Sequence, residues 1–350
     1  MTIKQIDEDK AAWAADQFID YFKNFTNLEE YLRHVKKSVI VKSNLLDDPK
    51  DYFLNQDIHP NDMEFDIRFI GDRFQNSLPQ DYYKTMLGAV SSHNNETNIP
   101  GRELRWMVYE KNTNKVIGFI RFGSPTINSK PRNLWLGKPA NLTLMNRHTA
   151  MGFVIVPSQP FGYNYLGGKL LAALCCSHEV REMLNKKYDM NLVMFETTSL
   201  YGNSKSASQY DGMKPMLRYK GLTDSDFIPM IHGKPFKDLQ NYVESRTGHL
   251  VPENASSRKL KLTNAIIGLV KRTLDGDDLK KFNTTITNAK LLTERKRYYV
   301  SNYGIENYID IVNGKTDKIV KAPNYDRFHD NELIEWWRKL ATKRFNNLNL

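Results

Sequence analysis

The residues best suited to chemistry lie together in one stretch, Phe153-Val-Ile-Val-Pro-Ser-Gln-Pro-Phe-Gly-Tyr-Asn-Tyr-Leu-Gly-Gly-Lys-Leu-Leu171. Its apolar run stops at Pro157 and reads as a strand. Ser158 to Gly168 reads as a glycine-bearing turn and Lys169 onward as a helix. Glycine at a strand-to-helix junction lets the backbone approach a phosphate, and the unpaired N–H groups of a first helical turn carry partial positive charge. Gly162, Gly167 and Gly168 therefore suit an anion cradle, to which Lys169 adds a full charge. The alternative is a tight turn that needs glycine for its backbone angles alone.

Other chemistries have less support. The eight histidines, at 34, 59, 93, 148, 178, 232, 249 and 329, form no His-x-x-x-His pair, and none stands at ligand spacing from a cysteine or carboxylate, so no metal site is expected. Gly314-Lys315-Thr316 is not a Walker loop, because Ile309 stands where that motif requires glycine. Cys175 and Cys176 are the only cysteines and are adjacent; they suit small apolar packing inside a helix, and His178 does not share a helix face with Cys176.

The elements that must position the turn follow from periodicity. Ala11 to Phe25 and Leu28 to Leu46 carry aromatic and aliphatic residues at helical spacing, with Asn27 as an N-cap for the second. Helices are also expected over 62–76 and over 79–92, the latter opening at Pro79. Ser91 to Gly101 reads as a loop. From Arg102 the period changes to two: Leu104, Trp106 and Val108, then Val116 to Phe122, flank Asn112-Thr-Asn-Lys115 as a hairpin. Proline and glycine break up 123–139. A strand over Met151 to Val156, a helix from Lys169 to about Lys187 and a buried strand over Leu192 to Glu196 follow. Helix returns over Leu262 to Leu274 and over Asn331 to Phe345. This order defines an α+β class with a mixed sheet, divided into a helical segment 1–100, a core 101–250 and a basic helical region 251–350.

Composition narrows the partners. Of 350 residues, 40% are hydrophobic and 26% charged, which suits a folded chain. No window approaches the roughly 18 to 20 uncharged apolar residues that span a membrane, and MTIKQIDEDK lacks the order of a signal peptide. A soluble, cytoplasmic protein without membrane contact is expected. Residues 1–100 carry a net charge of −6, residues 101–250 of +9 and residues 251–350 of +7. Such a separation of sign suits a polyanion, of which nucleic acid is the commonest.

In this order of elements, the turn resembles the cofactor motif of the GNAT N-acyltransferase superfamily, in which a strand and a Gln/Arg-x-x-Gly-x-Gly/Ala turn bind the pyrophosphate of an acyl coenzyme A. Gln159 and Gly162 occupy the first two positions, and Asn164 replaces the last small residue. The segments Phe195 to Asn203, Ser208 to Asp211 and Leu217 to Thr223 resemble the divergent branch containing phage Mom-type DNA-modifying proteins and DruA-like anti-phage proteins. The resemblance spans roughly residues 100–230. It implies a GNAT-like central sheet with helical additions at both ends. It also implies an acyl-coenzyme A or related phosphate-bearing donor held by Val154, Ile155, Val156, Gln159, Gly162, Tyr163, Asn164, Gly167, Gly168 and Lys169, and a nucleobase amine as acceptor.

An exocyclic amine is a poor nucleophile and needs a proton acceptor in a dry pocket, usually after the base is unstacked. Glu196, at the polar end of an apolar strand, is the candidate general base; its alternative is an edge carboxylate paired with a lysine. Tyr201 and Tyr210 are candidates for stacking on a base or protonating a departing thiolate, or are half-buried sheet aromatics. Ser199 and Ser208 are weaker candidates. In the C-terminal region, Arg295, Lys296, Arg297, Arg338, Lys339, Lys343 and Arg344 lie among aromatic residues, a combination suited to DNA phosphates and bases; Trp337 reads as core. The expected function is a DNA-base-modifying acyltransferase-like enzyme. The alternatives are a non-catalytic nucleic-acid-binding protein on a decayed GNAT-like fold, or an N-acyltransferase acting on protein or a small amine.

Overall fold

Alternation of apolar and polar residues around a short polar turn produces the hairpin of β2 (Glu103–Glu110) and β3 (Lys115–Gly123). Asn114 takes the left-handed conformation, φ 56°, that such a turn requires. The buried Glu110 carboxylate ties the turn together, accepting from Thr113 N at 2.7 Å, Thr113 Oγ1 at 2.6 Å and Asn112 N at 3.2 Å. In this computed structural model, residues 6–27, 29–31, 33–34, 48–70, 80–91, 101–199, 208–223, 229–255, 258–292 and 296–348 are described.

The hairpin seeds a seven-stranded sheet of order β1-β2-β3-β4-β5-β7-β6. The other strands are β1 (Phe65–Ile70), β4 (Thr149–Pro157), β5 (Met194–Ser199), β6 (Arg218–Leu222) and β7 (Arg297–Ser301). All neighbours are antiparallel except β4 and β5, which are parallel. The sheet is therefore mixed, as expected.

Three local expectations change. Residues 65–70, expected within a helix, form β1: Phe65, Ile67 and Phe69 alternate with polar residues, and pairing with β2 decides for the period of two. The single helix expected over 169–187 is two. One is Gly167–Leu174 and the other His178–Tyr188, because Ser177 Oγ accepts from Val180 N at 3.1 Å and caps a new helix. The run Arg297-Tyr-Tyr-Val-Ser301, expected on a basic surface, is a strand with β5 on one side and β6 on the other, and its Tyr298 and Tyr299 are buried.

The chain packs as two units, one of Lys42–Ser91, Asn95–Asp224 and Arg295–Leu350, the other of Met1–Val41, Ser92–Asn94 and Ser225–Glu294. The first holds the sheet. One side of the sheet buries Met107, Phe119 and Val154 with Tyr83, Met86 and Leu87 of helix Gln80–Val90, which begins one residue after Pro79. Another layer gathers Trp106, Phe122 and Phe195 with Leu170 and Leu171. Leu333, Trp337, Ala341 and Phe345 form the buried stripe of the C-terminal helix Asp330–Leu348, and Trp337 Nε1 donates to the Tyr165 carbonyl at 2.9 Å. The spacing of four is what a core-facing helix needs.

The second unit is helical. Helix Glu8–Phe22 is capped by Asp7, which accepts from Lys10 N at 3.0 Å. Its Phe18 meets Phe282 edge-on at 5.8 Å, and Leu262, Ile266 and Leu269 complete the core with helices Lys234–Thr247, Arg258–Thr273 and Gly276–Leu291. Asn27 Oδ1 accepts from Glu30 N at 3.1 Å, as a cap should; residues 35–46 of the helix expected there lie outside the described residues. Among the described residues, no helix is long and apolar enough to cross a membrane.

Candidate functional site

A defect in strand pairing opens the site. On β4, Val154 faces Arg121 and Gly152 faces Phe122, so Phe153 between them has no partner and forms a bulge. The parallel pairing of β4 with β5 spans four residue pairs, Thr149↔Met194 to Gly152↔Thr197, and ends where the bulge begins. Beyond it, β4 keeps its β3 neighbour but loses β5. Freed backbone groups need other partners, and the Ile155 carbonyl finds one in the side-chain amide of Gln209, at 3.4 Å.

The glycine turn follows directly. Phe161–Asn164 is one short helical turn, Leu166 is left-handed with φ 55°, and the next helix, Gly167–Leu174, starts at the two glycines. A Cβ on Gly167 would stand 2.5 Å from the Phe161 ring, and one on Gly168 2.3 Å from Gln209 Oε1. Gln159 Oε1 accepts from Tyr163 N at 3.1 Å, so it closes the turn on itself. Gly167 is thus held to glycine by the Phe161 ring, whereas Gly168 faces only the flexible carboxamide end of Gln209.

Residues far apart in sequence meet in front of this helix. Lys169 Nζ donates to the carbonyls of Gln209, at 3.2 Å, and of Asp211; burial pushes the ammonium below its ordinary value, against the attraction of Asp211. The Asp211 carboxylate accepts from Ser208 N at 2.9 Å, from Tyr299 Oη at 2.8 Å and from Arg297 Nη2 at 3.2 Å. Burial raises its carboxyl, but Ser208 N–H, Tyr299, Arg297 and Lys169 outweigh burial and hold it below the usual range. Tyr210 is buried with its ring edge-on to Tyr299 at 5.2 Å. Burial pushes its hydroxyl well up, so it acts as a hydroxyl and not a phenolate. Arg297 also lies over Tyr219, 4.7 Å from the ring centroid.

Glu196 belongs to the opposite face of the sheet. Thr197, its neighbour on β5, turns toward Tyr210, and alternation sends Glu196 the other way. Glu196 and Arg132 both have side chains at 0% exposure, with Arg132 Nη1 at 3.1 and 3.3 Å from the two carboxylate oxygens. Tyr298 Oη donates to Glu196 Oε2 at 2.6 Å, while Arg132 Nη2 donates to the carbonyls of Thr126 at 2.7 Å and Ile127 at 3.1 Å. The partner is a buried arginine and not a surface lysine. Burial raises the Glu196 carboxyl, opposed by Arg132 and Tyr298.

The structure therefore joins Lys169, Tyr210 and Arg297, which the sequence assigned to three different tasks, and separates Glu196 from them. Tyr201 and Arg295 lie outside the described residues. Lys296, Lys339 and Lys343 are exposed, but the Lys296 ammonium itself is buried, which pushes it below its ordinary value. Arg338 donates to the Met63 carbonyl at 2.6 Å and pairs with Glu335. Arg344 lies 4.3 Å from the centroid of Tyr163, which is 62% exposed. Val154 and Val156 pack on the helix Gln80–Val90 side of the sheet, whereas Ile155 is buried in the other layer and offers its carbonyl to Gln209. Sequence reasoning missed Arg132, Gln209, Asp211 and Tyr299. Arg132 sits in a stretch without period, and Asp211 gains its side-chain partners Arg297 and Tyr299 from a strand 86 residues or more later. Among the described residues, no group of three His, Cys, Asp or Glu side chains is placed to hold a metal.

A sheet opened by a bulge, with a glycine turn and helix in front of it, narrows the class; comparison with known proteins gives the family. The family model described as Druantia protein DruA matches residues 20–206, more than half of the chain, and the chain belongs to the DruA family. It is 24% identical over 190 residues to the Druantia protein DruA of Escherichia coli (strain UMEA 4076-1), covering 49% of this chain and 46% of that protein. The chain thus spans about half the length of that relative. No solved structure matches. The family match includes the bulge, the glycine turn, Lys169, Arg132 and Glu196, and stops before Gln209, Asp211 and β7.

Proposed function

We propose that this DruA-family protein is an acyltransferase-like enzyme of anti-phage defence that modifies bases in DNA. The observation that carries it is the parallel β4–β5 pair that parts after four residue pairs, directly in front of the glycine turn and Lys169. Such a gap leaves backbone groups of β4 free to pair with an extended, amide-bearing chain, while the turn faces an anion. Ile155, Gln159, Gly162, Tyr163, Asn164, Gly168 and Lys169 would hold an acyl-coenzyme A or related donor. The fit has a condition, since Gln209 fills the space above Gly168 and its carboxamide must swing aside. A bound acyl thioester would supply an activated carbonyl. Tyr210, held as a hydroxyl by burial, would donate a hydrogen bond to a departing thiolate. Glu196, paired with Arg132 on the other face, suits a positioning role better than proton abstraction.

The exposed Lys339 and Lys343 are the cations of the basic C-terminal set best placed for DNA phosphates, since Arg297 and Arg338 have partners within the chain and burial holds the Lys296 ammonium below its ordinary value. A second function is favoured by the filled turn: a non-catalytic DNA-binding protein whose donor site has closed. Mass spectrometry of nucleosides from cells expressing the intact protein and its Tyr210→Phe variant separates the two. A modified nucleoside present with the intact protein and depleted with the variant is the expected result. Unmodified nucleosides together with salt-sensitive duplex binding would leave the second function.

A further inference from the structure

We propose that Arg297, Tyr299 and the Ser208 N–H, in the field of the nearby Lys169, form an exchangeable anion seat, occupied by the chain's own Asp211, from which a phosphate group of a small carrier displaces it. The proposal deepens the donor site proposed above and assigns Arg297 to it. Four observations converge. The donors around the Asp211 carboxylate are an N–H, a hydroxyl and a guanidinium, from Ser208, Tyr299 and Arg297, a set that would serve a phosphate oxygen equally well. Arg297 Nε is buried and has no hydrogen-bond partner among the described residues, so the guanidinium keeps an unused donor. Gln209, two residues before Asp211, places Oε1 above Gly168 and Nε2 on the Ile155 carbonyl. One turn of chain thus sets an amide against the helix start and, two residues on, a carboxylate against Arg297 and Tyr299, the two groups an amide-bearing phosphorylated carrier would bring. Finally, the site is within reach of solvent: Gln209 is exposed, and the Asp211 and Arg297 side chains keep 35% and 23% exposure.

The test is calorimetry on the full chain and on its Asp211→Asn variant, with inorganic pyrophosphate and with coenzyme A as separate probes. Removing the internal carboxylate should tighten pyrophosphate binding roughly tenfold, the worth of one charge-assisted hydrogen bond, and adding Arg297→Gln should abolish the gain. Unchanged pyrophosphate affinity in Asp211→Asn, or a gain that survives Arg297→Gln, overturns the seat. A gain for pyrophosphate with no coenzyme A binding by either protein keeps the seat and removes the acyl-coenzyme A donor. Equal coenzyme A affinity in the two proteins removes the seat from the carrier site while keeping that donor. Circular dichroism checks each variant; if Asp211→Asn does not fold, Asp211→Ser, whose hydroxyl can still accept from Ser208 N, replaces it.

Discussion

The two faces of the same strands carry two carboxylate clusters built from the same chemistry, and they differ in water. On one, Glu196, Arg132 and Tyr298 are sealed from solvent. On the other, Asp211, Arg297 and Tyr299 share a similar donor pattern at a partly open edge. A charge that cannot reach water must keep its partner, whereas one at the edge can exchange a protein partner for water or for another anion. The sealed cluster is thus expected to serve the fold, and the open one to serve ligands.

The largest effect that would sharpen this contrast is at Arg132. Arg132→Met leaves Glu196 buried without its cation and should cost about 3–5 kcal/mol in urea unfolding. Combining it with Glu196→Leu should recover most of that loss, because no buried charge then remains. A cost below about 1 kcal/mol for Arg132→Met would show that water reaches this face and would break the comparison.

Within the open face, the glycines should behave unequally. Gly167→Val drives methyl groups into the Phe161 ring and should cost about 1–3 kcal/mol, so it is a poor probe of phosphate approach. Gly168→Ala meets only the far end of the Gln209 side chain, which can rotate away, and its melting temperature should stay close to that of the unmodified chain. Equal losses at both positions would mean that Gln209 is as immobile as Phe161.

Titration should separate the faces by sign. Burial raises the Glu196 carboxyl, so the folded state binds more protons than the unfolded one above the ordinary carboxylate range, and this group's contribution falls as pH rises toward its folded value. The Asp211 carboxyl is lowered, so its contribution is present above the unfolded value and is lost as pH falls toward the folded one. In melting temperature against pH, Glu196→Gln should remove a decline with rising pH, and Asp211→Asn a decline with falling pH. The same slope change in both variants would contradict the assignment. The smallest effect is that of Arg297→Gln on stability, which should stay under about 1 kcal/mol because its ion pair is partly solvated.

Much of the frame was legible along the chain. The hairpin around Asn112–Lys115, the strand ending at Pro157, the glycine turn and the Trp337 helix each depend on neighbours within a few residues, where periodicity and turn chemistry act. The resemblance to DruA rested on Phe195 to Asn203, which the family match covers, and on Ser208 to Asp211 and Leu217 to Thr223, which lie beyond its end at residue 206. Residues 65–70 were misread because a six-residue apolar alternation is too short to distinguish a strand from a helix without its partner. Arg297 shows the limit most clearly. As one of a run of cations it reads as surface, but its strand is inserted between β5 and β6, and that pairing turns it toward Asp211. Sequence by itself determined the hairpin, the strand ending at Pro157 and the glycine turn, because these follow from local sterics and hydrophobic period. Which carboxylate is sealed and which is open was decided only by tertiary structure, because strand order sets the burial of each charge, and burial sets the cost of leaving it alone.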